Sequence, residues 1–242
     1  MDYRERFYQH YLSTHFAKDN RERAQTDTRL WNRYFRLNYL RHLPQDKNAR
    51  ILDVGCGMGQ FLQFLAATGY PNVAGIDRSD EAAQYCRSRN LAVERSEALG
   101  HLASRANIYD AVVLNDLAEH FTKAEIVGVI EACYRALRPN GALLVKTVNA
   151  ANPIVGAHSL AIDFTHEWIF SEESLTQLLR VVGFREIRVL PVKIYTQPYN
   201  PIHWLARLLS GGLNMLWRML FFLYGRRGTK CFSKSILAVG KK

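Results

Sequence analysis

Cysteine is scarce in this 242-residue sequence, and its four cysteines are widely spaced with no C-x-x-C pair. This pattern argues against a disulfide framework and predicts reduced thiols, three of them filling the core. The N-terminus is charged and aromatic, and it lacks the apolar segment of a secretory signal. We therefore expect a cytoplasmic protein. The sequence also lacks internal repeats and low-complexity tracts.

Acidic residues are outnumbered, since 22 Asp and Glu stand against 32 Lys and Arg for a net charge of +10. A basic balance suggests anionic partners, such as nucleic acid, acidic lipid, or a phosphorylated or carboxylated substrate. Hydrophobic residues make up 48% of the chain, which is enough for a sizeable core. The length suits one catalytic domain with additions.

The sequence contains a glycine-rich turn that resembles a nucleotide-binding turn but lacks a glycine at position 60. The apolar run 51–54 opens into Gly55, Gly57 and Gly59, and the apolar start of a helix follows. A strand, a glycine turn and a helix in this order are typical of a site where a ligand lies against the turn. Gln60 occupies the place where a dinucleotide fingerprint has its third glycine, which argues against a pyrophosphate ligand.

Two acids flank this turn. Asp53 would repel phosphates but can receive an ammonium group. Asp77 ends the next strand-like run, 73–76, at about the distance expected for a carboxylate that binds a ribose diol. A cationic amino-acid tail joined to a nucleoside fits both acids. We infer S-adenosylmethionine as the ligand.

Four motifs then establish a resemblance to a known family. They are I-L-D-V-G-C-G-M-G-Q-F at 51–61, G-I-D at 75–77, Y-D-A-V-V-L-N-D-L-A-E-H-F at 109–121 and L-R-P-N-G-A-L-L-V at 137–145. In this order, over roughly residues 49–190, they resemble class I S-adenosylmethionine-dependent methyltransferases. The resemblance implies an α/β fold with a doubly wound, Rossmann-like, seven-stranded sheet. It places the cofactor on Asp53, Gly55, Cys56, Gly57, Gly59, Asp77, Arg78, Glu97, Ala98 and Asn115.

The chain divides into four predicted segments. Residues 1–48 form a helical lid, 49–195 the methyltransferase core, 196–230 a hydrophobic helical insertion, and 231–242 the last strand with a basic tail. Arginines and aromatics alternate in the lid, which suits either packing over the core or nucleic-acid binding. We favour a lid of two or three helices, with no nucleic-acid partner.

A hydroxyl acceptor needs a general base or a metal for deprotonation. Asp116, Glu119 and His120 follow the fourth strand and resemble a stretch of ubiquinone-biosynthesis-type O-methyltransferases, in which acids and the histidine can hold a divalent metal such as Mg²⁺. His120 therefore has three open interpretations: an acceptor-facing base, a metal ligand, or a structural residue. We favour the base, and assign no metal ligands.

A second candidate base, His166, lies in D-F-T-H-E at 163–167, a loop after the fifth strand. Its apolar flank is equally consistent with a histidine that only hydrogen-bonds the loop. His158, Asn149 and Asn152 belong to the same region and are expected to contact the substrate.

The segment 201–224 is apolar except for a narrow stripe of His203, Arg207, Asn214 and Arg218. Two arginines and a central glycine pair at 211–212 argue against a transmembrane span. An interfacial helix pair fits better, with Arg226, Arg227 and Lys230 contacting anionic headgroups at the cytoplasmic face of the membrane. A homodimer surface and simple packing on the domain are the alternatives.

The D-F-T-H-E loop, the lid and the basic apolar insertion together resemble bacterial family members that modify cell-surface glycans. We therefore expect O-methylation of a sugar hydroxyl on a glycan or its precursor. The alternatives are a quinone or lipid phenol acceptor, and a non-catalytic binding protein that retains the fold. A nucleic-acid methyltransferase is disfavoured because an N-P-P-Y stretch is lacking.

Overall fold

A seven-stranded sheet organises the molecule. The computed structural model describes residues 3–9, 11, 28–193, 200–226 and 228–242. The strands are β1 Ile51–Val54, β2 Val73–Asp77, β3 Val93–Arg95, β4 Tyr109–Asn115, β5 Leu137–Val148, β6 Arg185–Pro191 and β7 Ser235–Lys241. They lie in the order β3-β2-β1-β4-β5-β7-β6, and β7 alone runs antiparallel to its neighbours. The predicted seven-stranded sheet is confirmed.

Nine α-helices are described around this sheet. They are α1 Tyr3–Gln9, α2 Thr28–Asn38, α3 Gln60–Ala67, α4 Asp80–Arg87, α5 Ala98–Ala103, α6 Lys123–Ala136, α7 Gly156–Ala161, α8 Glu172–Val182 and α9 Pro201–Leu223. Local sequence explains several of their ends. Capping boxes begin α6 at Thr122 and α8 at Ser171, and Gly183 ends α8 in the left-handed conformation.

The core lies on both faces of the sheet. β1 is buried along its whole length, and Ala111 to Leu114 of β4 are fully buried. These continuous apolar runs follow from helices covering both faces of a parallel sheet. One core layer joins β4 and β5 to α6 and α8, and the other joins β1 to α2 and α3. Parallel strands of this kind direct their carboxyl ends to a common edge, where ligands bind.

Residues 138–141 belong to the start of β5, where Tyr109 pairs with Leu137 before the register shifts. The predicted insertion differs from the structure. The insertion contains one continuous helix, α9, instead of a helix pair. Glycines at 211 and 212 weaken a helix without breaking it, since they keep the backbone N–H that proline lacks.

The N-terminal part of the chain packs on helices α3 and α6. Phe35 and Tyr39 are buried against Phe61 of α3, with ring centroids 5.0 and 5.1 Å from it. Arg4 of α1 forms a two-pronged ion pair with Glu125 of α6, at 2.7 Å for each bond. Arg227, which the sequence analysis assigned to headgroup contact, lies outside the described residues.

Two glycines allow the packing at the start of α3 to be tested. Gly59 and Gly69 both have positive φ, 73° and 87°. A Cβ on Gly59 would lie 2.5 Å from Leu91 Cδ1, whereas a Cβ on Gly69 would meet nothing within 4 Å. We expect Gly69→Ala to lower the free energy of unfolding by about 1 kcal/mol through backbone strain alone. Gly59→Ala should cost roughly 2–4 kcal/mol because overpacking adds to that strain.

Urea unfolding of the two variants beside the wild type measures this difference. Equal losses at the two positions would contradict the close packing of Gly59 against Leu91.

Candidate active site

The glycine bend after β1 is held by backbone hydrogen bonds to the Ile76 carbonyl and by the carboxylate of Asp77. Gly55, Gly57 and Gly59 all have positive φ. Asp77 Oδ2 accepts a hydrogen bond from the backbone N–H of Gly57, and its Oδ1 accepts one from that of Ser79, each at 2.8 Å. Asp77 thus ties the bend to the end of β2. Burial raises the pKa of Asp77, against the effect of these two hydrogen bonds.

Asp53 is a buried acid beside this bend. Its side chain is only 1% exposed, and burial together with the neighbouring Asp77 raises its pKa to about 8. The amide of Asn115 reaches Asp53 Oδ1 at 3.5 Å, and Tyr39 donates a 2.6 Å hydrogen bond to that amide's oxygen. A cationic group bound here would relieve the cost of ionising Asp53.

The predicted site residues surround one cleft of about 1500 Å³ at the carboxyl ends of the strands. All of them line it except Gly59, whose substituent position faces Leu91 and Cys86 on the opposite side. Gly59 is the residue before α3, and its predicted cofactor contact stays a prediction. The residues that line the cleft are Asp53, Gly55, Cys56, Gly57, Asp77, Arg78, Glu97, Ala98, Asn115, Asp116, Glu119, His120 and His166.

Part of the cleft wall is formed by two residues predicted to contact the cofactor, Glu97 and Ala98. Glu97 forms an ion pair with Arg78 at 3.3 Å, and Ala98 begins α5 directly after it. The guanidinium of Arg78 also lies 4.9 Å from the ring centre of Tyr8 in the lid. Arg78 therefore contacts both Glu97 and Tyr8, and so links the cleft wall to the N-terminal helix α1.

The predicted substrate contacts after β5 are divided. His158 lines the cleft. Asn149 is buried and donates hydrogen bonds to the carbonyls of Cys231 and Ser233, and Asn152 donates to that of Phe232. The two asparagines anchor the chain ahead of β7, so their predicted role as substrate contacts is wrong.

His120 is held by a chain of hydrogen bonds. Thr165 donates its hydroxyl proton to Asp163 Oδ1 at 2.8 Å, and the same hydroxyl lies 2.8 Å from His120 Nδ1. Because the hydroxyl has one proton and gives it to a carboxylate, it must accept from Nδ1–H. Neutral His120 therefore carries its proton on Nδ1 and leaves the Nε2 lone pair for a ligand.

Electrostatics keep this imidazole neutral. Burial, and then His166, lower the pKa of His120 to about 4. Burial alone would raise the pKa of Asp163, but hydrogen bonds from Tyr11 and Thr165 bring it below its ordinary value. A neutral imidazole beside an ionised carboxylate is the arrangement a general base requires.

His166 and two tyrosines complete the surroundings of His120. The two imidazole centres are 4.7 Å apart, and His166 Nδ1 donates to the Ser159 carbonyl at 2.6 Å. Tyr8 and Tyr11 of the lid approach His120 edge-on, at 6.3 and 5.9 Å between ring centres. The sequence analysis did not single out Thr165 or Tyr11. The T in D-F-T-H-E was a usable signal for Thr165, whereas nothing in the sequence paired Tyr11 with Asp163.

The acids that the family resemblance offers as possible Mg²⁺ ligands, Asp116 and Glu119, are bonded to other residues. Asp116 forms an ion pair with Lys146, and the buried Glu119 accepts a 2.9 Å hydrogen bond from Thr147. Burial, and then Asp116, raise the pKa of Glu119 to about 8. Within the described parts of the chain, the one group with metal-ligand spacing is His120, Asp163 and His166. Two imidazoles and one carboxylate do not suit Mg²⁺, which prefers oxygen ligands.

The sequence of this protein is similar to the sequences of known methyltransferases. A family model described as a methyltransferase domain matches residues 11–189. A ubiquinone biosynthesis O-methyltransferase of Marinobacter nauticus is 32% identical over 186 residues, covering 69% of this chain and 74% of that protein. The mouse mitochondrial protein of the same name is 30% identical, covering 64% and 46%. Three further relatives with this name are matched over only 56% to 60% of their own length.

Solved structures show the same fold. A S-adenosylmethionine-dependent methyltransferase from Archaeoglobus fulgidus superposes with a TM-score of 0.66 at 19% identity, covering 91% of this chain and 97% of that one. A phosphoethanolamine N-methyltransferase from Haemonchus contortus, bound to S-adenosylhomocysteine, has a TM-score of 0.61 at 17% identity, covering 88% and 52%. At these identities the structural similarity shows the fold alone and does not identify the methyl acceptor.

The raised pKa of Asp53 predicts a pH-dependent stability of the ligand-free protein. In the unfolded chain this carboxyl ionises near pH 4, whereas in the fold it keeps its proton to about pH 8. Unfolding therefore releases a proton between these values, and the free energy of unfolding falls as pH rises, by at most about 1.4 kcal/mol per unit. Asp53→Asn should flatten this slope and weaken cofactor binding.

Urea unfolding across this pH range, with Glu131→Gln on the exposed face of α6 as the matched control, measures the effect. A slope that Asp53→Asn leaves unchanged would contradict a protonated buried carboxyl.

Proposed function

The chain belongs to the methyltransferase-domain family, and from that premise we propose that it methylates the phenolic hydroxyl of a quinone-type aromatic acceptor. That the protein is a S-adenosylmethionine-dependent methyltransferase follows from the family. The acceptor is our proposal. It rests on the neutral imidazole of His120, which Thr165 and Asp163 orient by hydrogen bonds so that Nε2 can take a proton from a hydroxyl.

Two features favour an aromatic acceptor over the sugar that the sequence analysis expected. The curated relatives are named for ubiquinone biosynthesis, and the comparisons give no support to a glycan. Tyr8 and Tyr11 also line the cleft beside His120, and Ile162 is an aliphatic member of the cleft lining. A flat apolar ring can pack against such side chains, and its hydroxyl can reach His120.

The residues around the glycine bend suit S-adenosylmethionine. Asp53 would receive the ammonium of the methionine part, and Asp77 the ribose hydroxyls, since each of its oxygens keeps a second lone pair. Side chains at Gly55 and Gly57 would crowd the backbone approach. When bound, the cofactor supplies an activated methyl group on a sulfonium.

Proton removal falls to His120. Its Nε2 takes the proton of the acceptor hydroxyl, while Nδ1–H remains bonded to Thr165. The imidazolium that forms is stabilised by Asp163 through the Thr165 hydroxyl. The two lid tyrosines limit water access to the ring. Alignment of the acceptor oxygen for in-line transfer is the other contribution of the cleft.

Mass spectrometry of reactions with labelled methyl donor tests the acceptor. We expect methylation of a soluble substituted catechol and none of nucleotide-linked sugars. Methylation of the sugars alone would overturn the proposal. Failure of S-adenosylmethionine to bind in calorimetry would favour the non-catalytic alternative.

Substitutions along the hydrogen-bonded chain predict graded losses. His120→Gln should lower kcat about 10²- to 10⁴-fold because it removes the base. Thr165→Val should lower kcat less, because the imidazole remains but loses its orientation and its link to Asp163. Donor affinity by calorimetry should stay unchanged in both variants.

His42→Gln, outside the cleft, provides the matched control. In the wild type, the acid limb of kcat/KM should lie well below pH 6, since the pKa of His120 is about 4. Full activity in His120→Gln would remove the base from the mechanism.

Chelation separates this mechanism from a metal-dependent one. Because Asp116 and Glu119 are engaged by Lys146 and Thr147, we expect turnover to survive dialysis against a chelator. Added Mg²⁺ should then change kcat less than about twofold, against the several kcal/mol a catalytic metal supplies. Loss of activity on chelation, restored by a divalent ion, would contradict proton removal by a free His120.

A further inference from the structure

Helix α9 presents its apolar side to solvent. Six positions of α9 are partly covered. Five of them recur at spacings of seven, four, three and four and so share one face: His203, Ser210, Asn214, Trp217 and Phe221, with Leu220 beside the last. This face is turned toward the rest of the protein, and Phe221 packs on Phe232 with ring centres 4.6 Å apart. Two members of the predicted polar stripe, His203 and Asn214, lie on this side, whereas Arg207 and Arg218 are exposed.

The opposite face is a wide, exposed apolar surface. Leu208 is 73% exposed, Met215 77% and Leu223 70%. None of the 23 residues of α9 is buried. Other exposed members of this surface are Trp204, Leu205, Leu209, Leu213, Leu216, Met219 and Phe222. This is the reverse of an amphipathic helix in a globular domain, which turns its apolar stripe to the core, and it is inconsistent with simple packing on the domain.

We propose that the apolar surface of α9 docks on an anionic lipid bilayer, with the helix lying in the plane of the interface. At 1.5 Å per residue α9 is roughly 34 Å long. The exposed apolar surface can enter the region between headgroups and acyl chains, while the opposite face of the helix remains near the headgroups.

Charge identifies the lipid as anionic. The sequence from 200 to 230 contains no aspartate or glutamate. It contains Arg207 and Arg218 within the helix, beside the polar face, and Arg226, Arg227 and Lys230 after it. Phosphate headgroups would neutralise these cations. A second copy of the helix would instead bring further arginines and no carboxylate, so self-association is the weaker interpretation.

The mode of attachment is peripheral. Among the described residues, no helix is long and apolar enough to cross a bilayer. Aromatic side chains at both ends of the helix, Trp204 and Tyr224, suit the interface, where such rings have one apolar and one wet side.

Docking would bring the active-site cleft to the membrane. Val192 and Lys193 lead toward the helix, and Lys234 and Ser235 follow it, and all four line the cleft. A helix lying on the bilayer would therefore hold the cleft wall near the lipid, where an acceptor dissolved in the membrane would be available. The docking itself rests on α9 and not on the identity of the acceptor.

Flotation with vesicles of equal parts phosphatidylglycerol and phosphatidylcholine tests the proposal. We expect wild-type protein to float with these vesicles, and binding to phosphatidylcholine alone to be much weaker. Leu208→Gln should reduce partitioning about tenfold, since an apolar side chain no longer enters the bilayer. Val181→Gln on α8, at a side chain that is 78% exposed, is the matched control and should leave binding unchanged.

Charge variants and an activity readout complete the design. Arg207→Gln with Arg218→Gln should weaken binding to anionic vesicles about fivefold for each arginine. Methylation of a soluble catechol should be the same in Leu208→Gln as in the wild type, which separates loss of docking from failure of the proposed chemistry.

Three results would overturn the docking. They are wild-type protein that does not float with anionic vesicles, equal flotation of Leu208→Gln and wild type, and light scattering that shows a dimer which Leu208→Gln dissociates.

Discussion

The site depends on one carboxylate that binds two backbone N–H groups. Asp77 ends β2, and its two oxygens hold Gly57 of the bend and Ser79 at the start of α4. The N–H groups of Gly55 and Cys56 bond to the Ile76 carbonyl, and that of Gly59 bonds to the Cys56 carbonyl. Asp77 satisfies a further N–H of the bend, that of Gly57. Because Asp77 also lines the cleft, the side chain that binds the bend is the one that we propose binds the ribose.

Burial then separates the acids and bases of the cleft by role. Desolvation raises the pKa of Asp53 and Glu119 to about 8 in each case, and it lowers that of His120 to about 4. Asp163 is the exception, because hydrogen bonds from Tyr11 and Thr165 offset its partial burial. The cleft therefore holds a neutral imidazole beside an ionised carboxylate near neutral pH. This is the electrostatic condition for removing a proton from a weakly acidic hydroxyl.

The sheet was largely predictable because its signals are local. Apolar runs bounded by glycine and by polar turns located β1, β2 and β4, and the chain order of the motifs indicated the topology. The bend and its two acids were predictable for the same reason. The sequence alone does not distinguish Gly59 from Gly55. Only the structure shows that a Cβ on Gly59 would point at Leu91, which does not line the cleft.

Residue pairs far apart in sequence were not predictable. His120 meets Thr165 across 45 positions, and Tyr11 meets Asp163 across 152. The proximity of Asp116, Glu119 and His120 in sequence suggested a shared metal, but consecutive positions after a strand point in different directions. Lys146 and Thr147, from the neighbouring strand, engage the two acids and leave the imidazole to the loop after β5. Side-chain direction, and not sequence spacing, decides which groups act together.

Helix α9 shows the same principle at the surface. Its sequence permitted membrane contact, dimerisation or internal packing, because an apolar arc alone does not identify what covers it. The structure shows that the arc faces outward and that Asn214 and Trp217 lie on the side nearer the domain. An apolar surface of this size in contact with water is unfavourable, by about 25 cal/mol for each Å² that a partner would bury. Since the sequence from 200 to 230 contains no acidic residue, the anionic bilayer that we propose would cover the apolar surface and neutralise these cations.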